Sequence, residues 1–202
     1  MIHVMEHGTD KTTGLVPRSN DVGNAGLVTR FRAGEIDVFE ELVTANQAGL
    51  MRLICRLVDS ADEAEDVLQE VFVAAFQGLP NFRQESSFTT WITTIAVNKC
   101  RTHRRRATRR RWLAAYLRRT ATTVSNHTDE DSSDDAEEVR NAIRSLSTKY
   151  QEPVVLHYFE QMSMGEVAAV LGLKTNTVEV RISRARRLLQ TTLGNRVNGD
   201  HS

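Results

Sequence analysis

The sequence predicts an all-α protein built as two helical domains joined by a flexible acidic linker. Apolar residues recur at three- and four-residue intervals over most of the chain, the period of an α-helix, and no stretch alternates as a half-buried strand does. Charge is also laid down in blocks. The formal net charge is +0, yet the stretch from Ser86 through Thr128 contains no acidic residue. It holds Lys99, Arg101, Arg104, Arg105, Arg106, Arg109, Arg110, Arg111, Arg118 and Arg119, and Asp129, Glu130, Asp131, Asp134, Asp135, Glu137 and Glu138 follow at once. Such segregation within a neutral chain points to separate jobs for separate segments.

Residues 1–26 are rich in Gly, Thr, Asn and His without periodicity and are expected to form a tail. The first domain is expected over 27–119. Ile36, Phe39, Leu42 and Val43 open its first apolar stripe, and Leu50, Leu53, Ile54 and Leu57 continue it. Ser60-Ala61-Asp62-Glu63 reads as a capping box before a helix whose apolar side is Val67, Leu68, Val71, Phe72 and Ala75. Gly78-Leu79-Pro80-Asn81 stops that helix. A loop through Ser86 and Ser87 leads to a long helix from Phe88, with Trp91, Ile92, Ile95 and Ala96 on one face. Residues 120–135 read as the linker, because Thr, Ser, Asp and Glu dominate there and no apolar pattern survives. The second domain is expected over 136–194, with 195–202 as a tail. Val139, Ile143 and Leu146 form its first stripe, Pro153 is expected to open the next helix, and further helices are expected at Ser163–Leu171 and Thr175–Leu193.

Composition narrows the function classes. No apolar run approaches the roughly 20 residues of a membrane span, so no membrane insertion is expected and the location is read as cytoplasmic. Cys55 and Cys100 show no metal-ligand spacing, which predicts reduced thiols, no zinc site and no cofactor. With no phosphate-binding glycine loop and no nucleophile–base pattern, an enzyme is the weakest reading.

The second domain carries a helix-turn-helix pattern. Ser163-Met164-Gly165-Glu166 caps one helix, Gly172-Leu173 supplies the turn, and Asn176-Thr177-Val178-Glu179 is read as the cap of the next. Val178, Ile182, Ala185 and Leu189 share the core side of that last helix. Its other side presents Thr177, Val180, Arg181 and Arg184, with Lys174 just ahead. Short polar groups and guanidinium groups on the first turns of such a helix suit base edges in the major groove. The plainer alternative is an amphipathic helix with a solvated basic face.

The first domain adds a resemblance. Ala64-Glu65-Asp66-Val67-Leu68-Gln69-Glu70-Val71-Phe72, then Phe82-Arg83, Ser86-Ser87-Phe88-Thr89-Thr90-Trp91-Ile92 and Ile95-Ala96-Val97-Asn98-Lys99-Cys100 together resemble region 2 of bacterial sigma factors. Thr177 to Arg186 resembles their region 4, and the pairing of these two regions is similar to the extracytoplasmic-function (ECF) class. The resemblance implies a factor that binds core RNA polymerase and promoter DNA and directs initiation, and a partner anti-sigma factor.

By the same resemblance Asp62, Glu65, Asp66, Gln69 and Glu70 form the polymerase-binding face. Phe82, Arg83, Ser86, Ser87, Ile95, Asn98 and Lys99 face the −10 element, where a base leaves the stack. Unstacking costs a few kcal/mol, and an aromatic platform returns roughly 1–3 kcal/mol. Phe82 serves either as that platform or as core, and Trp91 is read as core. Lys174, Thr177, Val180, Arg181 and Arg184 face the −35 element. Glu179 departs from the basic residue many relatives carry there. Two other readings stay open: an ordinary helix-turn-helix regulator that binds duplex DNA alone, and an adaptor.

Overall fold

The computed structural model describes residues 19–58, 60–118 and 135–197. Four helices make the first domain: α1 (Ser19–Arg32), α2 (Val38–Leu57), α3 (Ala61–Gly78) and α4 (Phe88–Arg118). Four more make the second: α5 (Asp135–Ser145), α6 (Thr148–Val154), α7 (Met164–Leu171) and α8 (Thr175–Val197). Among the described residues there is no strand. The expected linker lies outside the described residues, except that Asp135 opens α5.

In the first domain α2, α3 and α4 bury the stripes their periodicity announces. Leu42, Leu53, Ile54 and Leu57 of α2 meet Val67, Val71 and Ala75 of α3 and Ile92, Ala96, Val97 and Cys100 of α4 in one core. Burial pushes the Cys100 thiol up to about 12, so it stays protonated at neutral pH. Ser60 caps α3, its side-chain oxygen accepting from the Glu63 amide at 3.2 Å. Gly78 ends α3 where the Trp91 ring passes so close that an added Cβ would stand 3.1 Å from it.

Two expectations need correction here. Residues 19–26 are part of helix α1 rather than tail. Gly23 and Gly26 each cost a helix about 1 kcal/mol against Ala, and no apolar stripe marks the segment. Docking overrides that local cost: Val28 and Phe31 are buried, and Asn24 and Asn46 exchange side-chain hydrogen bonds of 3.2 and 3.0 Å inside the bundle. Asn46 spends its second amide hydrogen on the Leu42 carbonyl at 2.8 Å. Ile36, counted in the first stripe, is exposed in the turn before α2, and Val38 takes the buried place.

In the second domain α6 begins at Thr148 after Ser147, not at Pro153, which lies inside it. A proline within a helix lacks the N–H for the i−4 carbonyl and crowds that carbonyl. Directly after it the backbone widens into a π-turn over Val155–Phe159. Helix α7 opens with the complete capping box: Ser163 accepts from the Glu166 amide, and Glu166 accepts from the Ser163 amide at 2.8 Å. It closes on Gly172 at φ 66°, ψ 40°, the left-handed conformation that glycine adopts without a Cβ penalty. Helix α8 starts at Thr175, so Asn176 lies in its first turn instead of capping it, and the Thr177 and Val178 amides reach back to the Lys174 carbonyl.

The two domains share packed surface. Val155, Leu156, Met162, Val167 and Val170 belong to the same continuous core as Leu57, Val97 and Cys100, and α7 lies against α4.

The buried asparagine pair supplies a test of this packing. Asn46→Ala leaves the Asn24 amide unpartnered, so urea unfolding is expected to show a loss of about 1–3 kcal/mol. Replacing both by leucine removes both polar groups at similar volume and is expected to return most of that loss.

Candidate nucleic-acid interface

The loop between α3 and α4 is short and held at both ends. Phe82 is 6% exposed and packs on Phe88 and Trp91, with ring centroids 6.3 and 4.9 Å away. Its ring therefore belongs to the core in this conformation, and a platform role requires it to leave. Arg83, Gln84, Glu85 and Ser86 are exposed, and Gln84 sits at φ 58°. The Ser87 hydroxyl is committed to the start of α4: it accepts from the Thr90 amide at 3.1 Å.

Along α4, Ile95 is half-buried and Asn98 is exposed one turn further on. The Asn98 side-chain oxygen accepts from Arg101 Nη1 at 3.3 Å. Lys99 turns toward α3, where its Nζ meets Glu70 Oε2 at 3.0 Å, and Arg106 Nη1 approaches the other oxygen at 3.5 Å. These cations, the Lys99 hydrogen bond first, hold the Glu70 carboxyl below its ordinary value. Asp62, Glu65, Asp66 and Gln69 are exposed along α3, with Glu70 half-buried at their edge. The two faces expected from the sequence as separate thus share one ion pair.

On α8 the core and outer sides are cleanly divided. Val178, Ile182 and Ala185 are buried. Thr177, Val180, Arg181 and Arg184 follow i, i+3, i+4 and i+7 spacing on the other side, Val180 and Arg184 exposed, Thr177 and Arg181 half-buried. Lys174 is exposed ahead of them. The Arg184 guanidinium lies beside the Tyr150 hydroxyl and draws its pKa below the ordinary value.

Sequence reasoning missed the groups that join α4 to α6. Arg101 grips Glu152, and Arg104 holds Thr148 and Gln151. No local pattern announces a partner so distant along the chain. It also left Trp112 and Tyr116 without a role; they stack 5.7 Å apart on the outside of α4, both well exposed.

Residues 42–110 match the family model of Sigma-70 region 2, and residues 136–189 match that of Sigma-70 region 4. RNA polymerase sigma-H factor of Pseudomonas aeruginosa is 32% identical over 186 residues, covering 83% of this chain and 92% of that protein. The chain belongs to the ECF class of bacterial RNA polymerase sigma factors. ECF RNA polymerase sigma factor SigW of Bacillus subtilis is 26% identical, covering 82% of this chain and 94% of that one. Among solved structures, CnrH in complex with the cytosolic domain of CnrY matches at TM-score 0.63 and 29% identity over 84% of this chain and 96% of that one. The sigma factor RpoE in complex with the anti-sigma factor NepR from Bartonella quintana matches at TM-score 0.60 and 25% identity, over 77% and 96%.

As an ECF sigma factor the chain binds core RNA polymerase and promoter DNA and directs initiation. The region 2 match ends at residue 110, while α4 of this sigma factor continues to Arg118. Among the described residues no helix is long and apolar enough to cross a membrane.

The Glu70 pair gives this sigma factor a pH signature. A carboxyl held below its ordinary value of 4.5 favours the folded state above that value, and the contribution is lost as pH falls through the depressed pKa. Carbon-detected NMR titration is expected to place Glu70 below an unpaired glutamate. In Lys99→Met the midpoint is expected to move up.

Proposed function

We propose that this sigma factor reads its promoter through two faces and docks on polymerase through a third. The division of α8 into a buried apolar side and an outer side of Thr177, Val180, Arg181 and Arg184 carries the reading. With Lys174, that outer side faces the major groove of the −35 element, where a guanidinium fork on guanine discriminates by about 1–3 kcal/mol. The exposed Arg83 and Ser86, with Asn98 and the Ile95 side chain, receive an unstacked base of the −10 element. In this reading Ser87 shapes the loop by capping α4, Phe82 backs it from the core, and Lys99 neutralises phosphate once freed from Glu70. Asp62, Glu65, Asp66, Gln69 and Glu70 form the polymerase-docking face.

The factor acts as a regulatory subunit and not as a catalyst, and it works in the cytoplasm beside polymerase. An anti-sigma factor is its expected antagonist, as the two structural relatives are solved with CnrY and with NepR.

The test is transcription by core polymerase from a library of promoter fragments with the purified chain added. Factor-dependent transcripts sharing two upstream elements are expected. Arg184→Ala is expected to lower them about tenfold to a hundredfold and relax the −35 preference, whereas Asn98→Ala should alter −10 preference alone. No binding to core polymerase, combined with tight duplex binding by the free chain, would favour an ordinary helix-turn-helix regulator.

A further inference from the structure

Four arginines that belong neither to the two DNA faces nor to the docking face meet at one cleft. Arg52 and Arg56 stand one turn apart on α2, and Arg140 and Arg144 stand one turn apart on α5. Side chains four residues apart share one face of a helix, and like charges at that spacing oppose one another. All four guanidinium groups line the same hollow of about 220 Å3, and none of its lining residues is acidic. The Glu160 carboxylate approaches Arg56 Nη1 at 3.6 Å from beyond the lining. Nothing in the reading of α4 or α8 as DNA-facing helices calls for this concentration of positive charge on α2 and α5.

The rest of the lining is apolar. Ile143 is buried, Cys55 is half-buried, and Phe159 is exposed with the Arg56 guanidinium 4.7 Å over its ring. The Arg56 backbone is itself anchored, since its carbonyl accepts from the Gln151 side-chain amide at 3.1 Å. A cationic rim over an apolar floor strengthens any charged hydrogen bond made inside it, because the walls screen charge less than water does. A guanidinium fork offers paired N–H donors to the oxygens of a phosphate. Four such forks exceed what one phosphate group accepts, so the complementary ligand carries more than one. The hollow is smaller than the about 300–1,000 Å3 that drug-sized ligands fill. It therefore admits a small anion or the charged end of a larger one. A nucleic-acid duplex, whose phosphates lie on a convex surface, does not enter a space of this size.

We infer that the cleft between α2 and α5 is a binding site for a small polyphosphate anion. Arg52, Arg56, Arg140 and Arg144 hold the phosphate oxygens, and Cys55, Ile143 and Phe159 form the apolar floor beneath them. Free pyrophosphate and a nucleoside polyphosphate share this chemistry. The second would also lay its base against the exposed Phe159 ring or the Arg56 guanidinium plane, both of which favour flat partners.

The experiment uses the full chain and reads the cleft locally. Cys100 is buried, so iodoacetamide reports on Cys55, which lines the site, and mass spectrometry follows its alkylation. Pyrophosphate, ATP and adenosine are titrated without magnesium, at an ionic strength held constant with sodium chloride. A ligand at ten times its dissociation constant leaves about one molecule in eleven open, so alkylation is expected to slow about tenfold with pyrophosphate and with ATP. Adenosine at the same concentration is expected to leave the rate unchanged. An ATP midpoint below that of pyrophosphate identifies the nucleoside-borne form, and an equal or higher one identifies the free polyphosphate. Arg52→Gln and Arg144→Gln remove exposed side chains from opposite walls. Each is expected to raise the midpoint about tenfold, the loss of one charged hydrogen-bonding group, and either serves if the other does not fold. Midpoints unchanged in a variant that melts cooperatively would overturn the inference, because the anion would then sit elsewhere. Adenosine that protects as well as ATP, or no protection by either phosphate, would overturn it too. So would a Cys55 that fails to react in the free chain, since the cleft would then admit no small molecule.

Discussion

A row of guanidinium groups along a single helix needs anions, and the architecture around α4 is arranged to supply them. Arg101, Arg104, Arg105, Arg106, Arg109, Arg110 and Arg111 crowd a few turns, while the preceding turns of the same helix are pinned into the core by Ile92, Ala96, Val97 and Cys100. The helix cannot rotate its charges away without giving up that burial. From one flank α3 offers Glu70, and from the other α6 offers Glu152. These pairings differ in kind. Glu70 and its cations are partly solvated, a setting in which ion pairs contribute little. Glu152 is shielded from water, so it stays only where its charge is matched. The exposed arginines beyond them are what a polyanion finds.

That one constraint also explains what was readable from sequence and what was not. Helices α2, α3, α4, α7 and α8 declare themselves because each carries a long apolar period and, for α3 and α7, a serine cap that the structure uses. The outward residues of α8 were legible for the same reason: once Val178, Ile182 and Ala185 are placed inward, Val180 and Arg184 have no other side to occupy. Helix α1 was not legible. Its two glycines and missing stripe say loop, and its order comes from an asparagine pair spanning 22 residues. Pro153 misled in the opposite direction, since proline usually begins helices and here interrupts one that the core already holds.

The site was half legible. Exposure of Asn98 and Arg184 follows from helical phase, whereas the fate of Phe82 depends on Phe88 and Trp91 closing around it. The grip of Arg101 on Glu152 crosses 51 residues and an acidic segment, so neither partner looks special alone. Block segregation of charge pointed to separate jobs for separate segments and named no partner for the arginines. The structure gives Arg101 its partner in α6, a buried carboxylate set beside the equally buried Gln151.

The bridge between Lys99 and Glu70 joins a residue of the proposed DNA face to one of the proposed polymerase face. A group shared in this way makes the two faces thermodynamically dependent. A polymerase surface that claims the Glu70 carboxylate releases the Lys99 ammonium for phosphate, and a phosphate that claims Lys99 leaves Glu70 seeking a new donor. Linkage requires the two effects to be equal in size and sign, whichever partner arrives first. In the proposed reading the bridge couples polymerase docking to DNA binding through one shared ion pair.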